Sequence, residues 1–240
     1  MKKIPLILLF LLTAPLIVEA VSTPSVDLIW EAQTYTPPWY QGRTLPTAES
    51  LVRVIALTTT TGRLGNEKNL NFYWRKDDLD IRSASGAGEN AFDYRAAPSG
   101  SNLIEVTVTG TDGSVGATGA ARIPIATPKI IFYEVKDDQI DYRRAIKNLN
   151  IITDQTKIIA EPFYFSLTDW LNRRLTFNWS ADKQKIEPAT EDPRFLTLIT
   201  KADSDAGETM LDLKITNTDH PQQTASAKLP VAFGRSGFGF

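Results

Sequence analysis

The chain has 240 residues, 42% of them hydrophobic and 22% charged, with one His and no Cys. The missing cysteines exclude disulfides, zinc ribbons, thiolate nucleophiles, iron–sulfur sites and a lipidated cysteine anchor. A single histidine, His220, excludes His-pair metal sites, and a net charge of -2 argues against a nucleic-acid binder, which needs a basic face.

In chain order, Lys2 and Lys3 precede an uncharged, largely apolar stretch from Ile4 to Val18. Val18-Glu19-Ala20 offers a peptidase site, so residues 1–20 read as a secretory signal cleaved after Ala20. The apolar stretch is about 15 residues, short of the roughly 20 needed to span a bilayer, and Pro5 and Pro15 interrupt it. No later segment approaches spanning length, so the mature chain is expected to carry no membrane span and to be secreted, periplasmic or cell-surface.

The remainder repeats itself. Leu70-Asn71-Phe72-Tyr73-Trp74 recurs as Leu175-Thr176-Phe177-Asn178-Trp179, about 105 residues on. Leu103–Asp112 recurs as Met210–Asp219, and Ile123-Pro124-Ile125 as Leu229-Pro230-Val231. Upstream, Trp30-Glu31 is matched to Tyr133-Glu134 and Tyr40 to Tyr142. The predicted division is residues 21–127 and 128–233, followed by a Gly-rich tail over 234–240. Ala126-Thr127-Pro128 forms a short stiff junction that favours an end-to-end rod.

Each copy reads as β. Apolar residues alternate with polar ones in Leu70–Trp74, in Ile104–Thr109 and in their repeats, the period of a half-buried strand. Further strands are predicted over Leu51–Leu57 and Lys157–Phe165, with hairpin turns at Thr111–Ser114 and Asp219–Pro221. Lys183–Glu191 is too polar for a buried strand and is left as a short helix or a ragged edge. About seven short strands per copy fit a β-sandwich, giving an all-β fold of two tandem immunoglobulin-like units with Trp74 and Trp179 as core markers.

The core Trp followed by a hairpin strand ending Thr-Asp-Gly resembles immunoglobulin-like or PKD-like modules of exported bacterial proteins. With Trp30-Glu31, Tyr35-Thr36-Pro37-Pro38-Trp39-Tyr40 and Phe132-Tyr133-Glu134, the mature chain resembles a family of secreted tandem Ig-like proteins from small-genome candidate-phylum bacteria. The resemblance implies architecture rather than activity, since sandwiches host many functions. The disulfide of antibody-type domains is absent.

Candidate sites follow from side-chain chemistry. Tyr35, Trp39 and Tyr40 offer flat rings for sugars or for protein hot spots, with Pro37 and Pro38 expected to hold the segment extended. The repeat of Tyr40 as Tyr142 argues for a structural role, which leaves Trp39 as the ring expected to be free. Thr168–Arg174 is expected to be a loop whose Trp170, Arg173 and Arg174 resemble an interface patch or fold back onto the core. Asp137, Asp138 and Asp141 lie near the junction, where they read as solvated turn acids or, alternatively, as calcium ligands; no other cofactor is expected. Asp77-Asp78-x-Asp80 and Asp203-x-Asp205 are similar clusters. His220 reads as an exposed turn residue, Asn178-Trp179-Ser180 as a chance sequon, and Gly86-Ala87-Gly88 as a plain loop. The expected job is non-catalytic: a structural or adhesive module binding protein or polysaccharide at the cell surface. The alternative is a carbohydrate-binding accessory pair or a carboxylate-based glycoside hydrolase.

Overall fold

The computed structural model describes residues 24–60, 63–64, 66–114, 116–152, 154–171, 173–200 and 206–234. The expected signal segment, Asn172, the Asp203–Asp205 cluster and the tail beyond Gly234 lie outside the described residues.

In the first half, β1 (Ser25–Ala32), β2 (Leu51–Thr60), β3 (Arg63–Leu64) and β7 (Ala91–Arg95) form one antiparallel sheet in which β2 pairs with the other three. It faces a second sheet in the order β5-β4-β8-β9: β5 (Leu79–Asp80), β4 (Leu70–Lys76), β8 (Ser101–Gly110) and β9 (Ala117–Pro124), with β6 (Gly86–Ala87) on β4. Strict alternation sends Val26, Trp30, Val52 and Val54 inward from one sheet and Phe72, Trp74, Ile104 and Val106 inward from the other, into a single core.

The second half repeats the plan. Its first sheet runs β11 (Gln139–Ile140), β10 (Lys129–Lys136), β13 (Gln155–Phe163), β16 (Phe195–Ile199). Its second runs β12 (Leu149–Ile151), β18 (Thr224–Phe233), β17 (Gly207–Asn217), β14 (Leu175–Ala181), β15 (Gln184–Ile186). Only β12 against β18 is parallel among these named pairs. In each half a four-stranded sheet faces a five-stranded one, in the manner of a β-sandwich. The fold is an all-β sandwich, with one five-residue helix, α1 (Leu167–Leu171), among the described residues. The segment Lys183–Glu191 contributes β15 rather than a helix.

Trp74 and Trp179 are each 1% exposed at the centre of the two cores. Their Nε1 groups donate to equivalent carbonyls, Glu89 O at 2.8 Å and Pro193 O at 2.9 Å. The upstream repeat is one residue out. Trp30 points into the first core as Phe132 does into the second, whereas Tyr133 lies on the opposite face of its sheet. A slip of one residue along a strand swaps faces, so the pairing of Trp30 with Tyr133 fails; by register Trp30, opposite Val54, corresponds to Glu134, opposite Ile158.

The junction is more than a linker. Pro124 ends β9 and Lys129 opens β10, close to the expected boundary. The chain then makes an antiparallel bridge across it: Tyr35 N donates to Phe165 O at 2.6 Å and Tyr164 N donates to Tyr35 O at 2.7 Å. Gln223, fully buried, adds a polar latch, donating to Ala48 O at 2.7 Å and accepting from Ser166 N at 3.0 Å. Its amide is thereby satisfied by groups from both halves.

Candidate functional site

The aromatic segment after β1 does not lie open. Tyr40 N donates to Pro37 O at 2.9 Å, so Pro37 and Pro38 set a turn rather than an extended run. That turn lays Trp39 on the outer face of the β10–β13 sheet. Its ring centroid lies 5.3 Å from Tyr133, 4.6 Å from Tyr142 and 6.2 Å from Phe163. The expectation that Trp39 is a free ring is therefore corrected: its apolar faces are spent holding the first half to the second. Among the described residues its Nε1 finds no partner in good hydrogen-bond geometry. Tyr40 packs edge-on to Phe163 and its hydroxyl meets that of Tyr164 at 3.1 Å.

Tyr35 reaches deeper, to a carboxylate that the internal repeat does not mark. Glu161, on β13, is 1% exposed. Its oxygens accept from Tyr35 Oη at 3.2 Å, Tyr142 Oη at 3.1 Å and the Arg194 guanidinium at 3.2 and 3.3 Å. Arg194 also grips Asp192 at 2.7 Å. Burial opposes the charge on Asp192, but the Arg194 hydrogen bonds prevail and hold its carboxyl below the usual range. Each Glu161 oxygen accepts from one phenol and from Arg194, which is what allows the charge to stay inside.

The tyrosines around it titrate high. Burial first, and the Glu161 charge second, push Tyr133 up to about 12; burial and the Tyr40 hydroxyl push Tyr164 up to about 12. Tyr35 and Tyr142 are raised for the same first two reasons as Tyr133. A phenol raised in the fold favours the fold while neutral, so its contribution is complete below its unfolded value of 10.0 and is lost between there and about 12. Urea unfolding at stepped pH is expected to show a flat stability to about pH 9.5, then a steep decline with phenolate absorbance appearing on unfolding. A decline centred below pH 9 would contradict the assignment.

The segment Thr168–Arg174, expected as a loop, instead begins inside α1. Trp170 N donates to Ser166 O at 2.9 Å, and Arg174 N to Asp169 O at 2.8 Å, while Arg173 takes the left-handed conformation (φ 56°) that ends the helix. Asp169 is buried and accepts from Asn217 Nδ2 at 2.7 Å, which pins the helix to β17. Trp170 stacks on Tyr35 at 4.7 Å, with the Arg194 guanidinium 5.2 Å over its ring. The two alternatives for Trp170 thus combine: it folds back onto the junction, and its free edge lines a cleft. That cleft, about 390 Å³, has Trp170, Leu175, Phe177 and Pro193 as apolar floor, with Leu171, Arg173, Glu191 and Asp192 around the rim. Leu171 is 69% exposed. Arg174 points away from the cleft residues into an ion pair with Asp219 at 3.4 Å.

The three junction acids do not converge. Asp137 and Asp138 both have positive φ, 49° and 58°, and form the tight hairpin turn between β10 and β11. Asp138 lies 3.5 Å from Lys157, and Asp141 is bound by Arg143 at 2.9 Å. The Asp138 and Asp141 carboxylates are thus paired with cations, and among the described residues no group of three His, Cys, Asp or Glu could hold a metal ion. Asp77-Asp78 and Asp182-Lys183 build the same turn in the other sheets. His220 sits in its turn, but it is partly covered and faces Asp169 at 3.6 Å.

No family model and no curated protein matches the chain. Among solved structures it is similar to the three N-terminal domains of the bacteriophage RB49 outer capsid protein Hoc, at 14% identity and a TM-score of 0.45, over 88% of this chain. The chain spans 59% of the length of that fragment. It is also similar to fibronectin(III)-like modules of Clostridium thermocellum CbhA (9%, TM-score 0.27, 88% of this chain and 97% of that one). A third is the Bacteroides ovatus glucan-locus protein SGBP-B in complex with a mixed-linkage heptasaccharide (10%, TM-score 0.25, 86% and 47%). Likeness at this level carries nothing about function. Among the described residues no helix is long and apolar enough to cross a membrane.

Proposed function

We propose that this chain is an exported, non-catalytic binding module made of two tandem immunoglobulin-like sandwiches, acting at the cell surface through the α1 end of its second unit. The observation that carries the reading is the exposed Leu171 beside a cleft with an apolar floor of Trp170, Phe177 and Pro193. An uncovered apolar patch ringed by charges suits a protein partner with an apolar anchor, which would fill the cleft while Arg173 and Glu191 fix its register.

The polysaccharide reading is weaker on geometry. A sugar needs a free aromatic face, and the rings of Trp39 and Trp170 are already stacked on neighbouring rings or lie beneath Arg194. A glycosidase reading has no support either, since Glu161 is tied to Arg194 and two phenols.

Binding to surface proteins of the source cells, measured with the purified chain immobilised, tests the reading. Leu171→Asp is expected to weaken capture about tenfold or more while leaving the unfolding temperature unchanged, because the side chain is mostly in water. Equal binding by the variant, or binding to a glycan panel alone, would overturn it.

A further inference from the structure

We propose that strand β16 is a self-recognition edge, on which two copies of this chain pair antiparallel along Phe195–Ile199 about a two-fold axis at Thr197. The proposal stands apart from the α1 cleft.

Among the described residues β16 ends its sheet, paired with β13 on one side only. Ala160 N donates to Arg194 O at 2.9 Å and Thr200 N to Asp154 O at 3.0 Å, so even-numbered residues turn their main-chain groups toward β13. Alternation along an antiparallel strand then turns those of Thr197 and Ile199 outward. Phe195 N is taken by Asp192 O at 3.2 Å, which leaves its carbonyl facing the same way.

The counterpart strand in the first half shows what a guarded edge looks like here. Ala56 N donates to Asn90 O as Ala160 N does to Arg194 O, and the core Trp bonds to Glu89 and Pro193 keep the same spacing. Ala91, Asp93 and Arg95 of β7 therefore occupy the positions of Phe195, Thr197 and Ile199. Asp93 pairs with Arg53 at 3.6 Å, and Arg95 donates to Glu49 O at 2.9 Å. Charges at such positions block edge-to-edge pairing. β16 has none, and Ile199 is 74% exposed.

The occupant follows from the strand itself. Phe-Leu-Thr-Leu-Ile reads nearly the same in both directions. Antiparallel pairing centred on Thr197 sets Phe195 against Ile199 of the second copy and Leu196 against Leu198, while the two threonines exchange both main-chain bonds. A one-residue shift would place outer side chains against inner ones. The result is a closed, isologous pair.

Sedimentation velocity of the full chain tests this. A short edge gives a small interface, so dimer is expected to reach half at about 100 µM. Transplanting the first-half guard, Thr197→Asp with Ile199→Arg, places the new acid opposite Lys157 as Asp93 lies opposite Arg53, so the fold is retained. That variant is expected to associate at least tenfold more weakly. The chain has no native cysteine, so Thr197→Cys should be joined into covalent dimer by a short bismaleimide, and Asp93→Cys should not. A monomer at about 300 µM, equal association by the guarded variant, or equal cross-linking at both cysteines would each overturn the proposal.

Discussion

Arg194→Ala is expected to lower stability by about 3 kcal/mol at neutral pH, a fall in Tm of roughly 6 to 12 °C for a chain of this size. The reason is the partner it abandons. Glu161 is 1% exposed, and without the guanidinium it keeps only two phenolic donors for a full charge. The low end of the usual range applies because Arg194 itself is 21% exposed. The second variant makes the cause visible. Adding Glu161→Gln removes the stranded charge, so the double variant is expected to recover most of the loss, with a coupling energy of about 1 to 3 kcal/mol in the cycle. If the two losses simply add, the buried charge is not what the arginine offsets. Chemical denaturation of the four proteins, with m-values compared, decides it.

Trp179→Ala is expected to cost about 3 to 5 kcal/mol, and Trp74→Ala the same, because each opens a void in a closed core. Trp179 packs 6.0 Å from Phe132 within a cluster that includes Ile158, Leu211, Leu213 and Leu229. Trp179→Phe separates packing from hydrogen bonding. It keeps most of the volume and leaves Pro193 O without its donor, so a loss of about 1 to 2 kcal/mol is expected. No disulfide shares this burden, since the chain has no cysteine. Calorimetry of the four variants, the two tryptophans each to Ala and to Phe, provides the check. Near-equal losses for Ala and Phe would mean that the indole bond, rather than the core volume, dominates.

The fold was legible in the sequence because its determinants are periodic. Alternation in Leu70–Trp74 and Ile104–Thr109, copied about 105 residues later, locates the core strands and their buried Trp. Beyond those strands the repeat loosens, and the shared aromatic character of Trp30 and Tyr133 hides that they face opposite ways. The site was less legible, since it is assembled across the junction from Tyr35, Trp39, Glu161, Trp170 and Arg194. Nothing local in Tyr35–Tyr40 distinguishes a platform waiting for a ligand from a clasp already closed. One signal was present: Glu161 is a lone charge within the otherwise uncharged run from Ile158 to Phe165. Such a residue in a strand buried on both faces demands a partner. The α1 helix carried no such mark, because one turn gives no 3.6-residue period to read, and tertiary anchoring through Asp169 and Asn217 fixes it.

If the aromatic segment is spent on holding the halves together, recognition falls to the α1 end. Hydroxyl-radical footprinting of the chain, alone and mixed with surface proteins of its source cells, tests this most directly. Leu171 and the edge of Trp170 are expected to react in the free protein and become protected in the mixture, with Trp39 slow to react in both. Protection that falls on Trp39 and leaves Leu171 unchanged would contradict it.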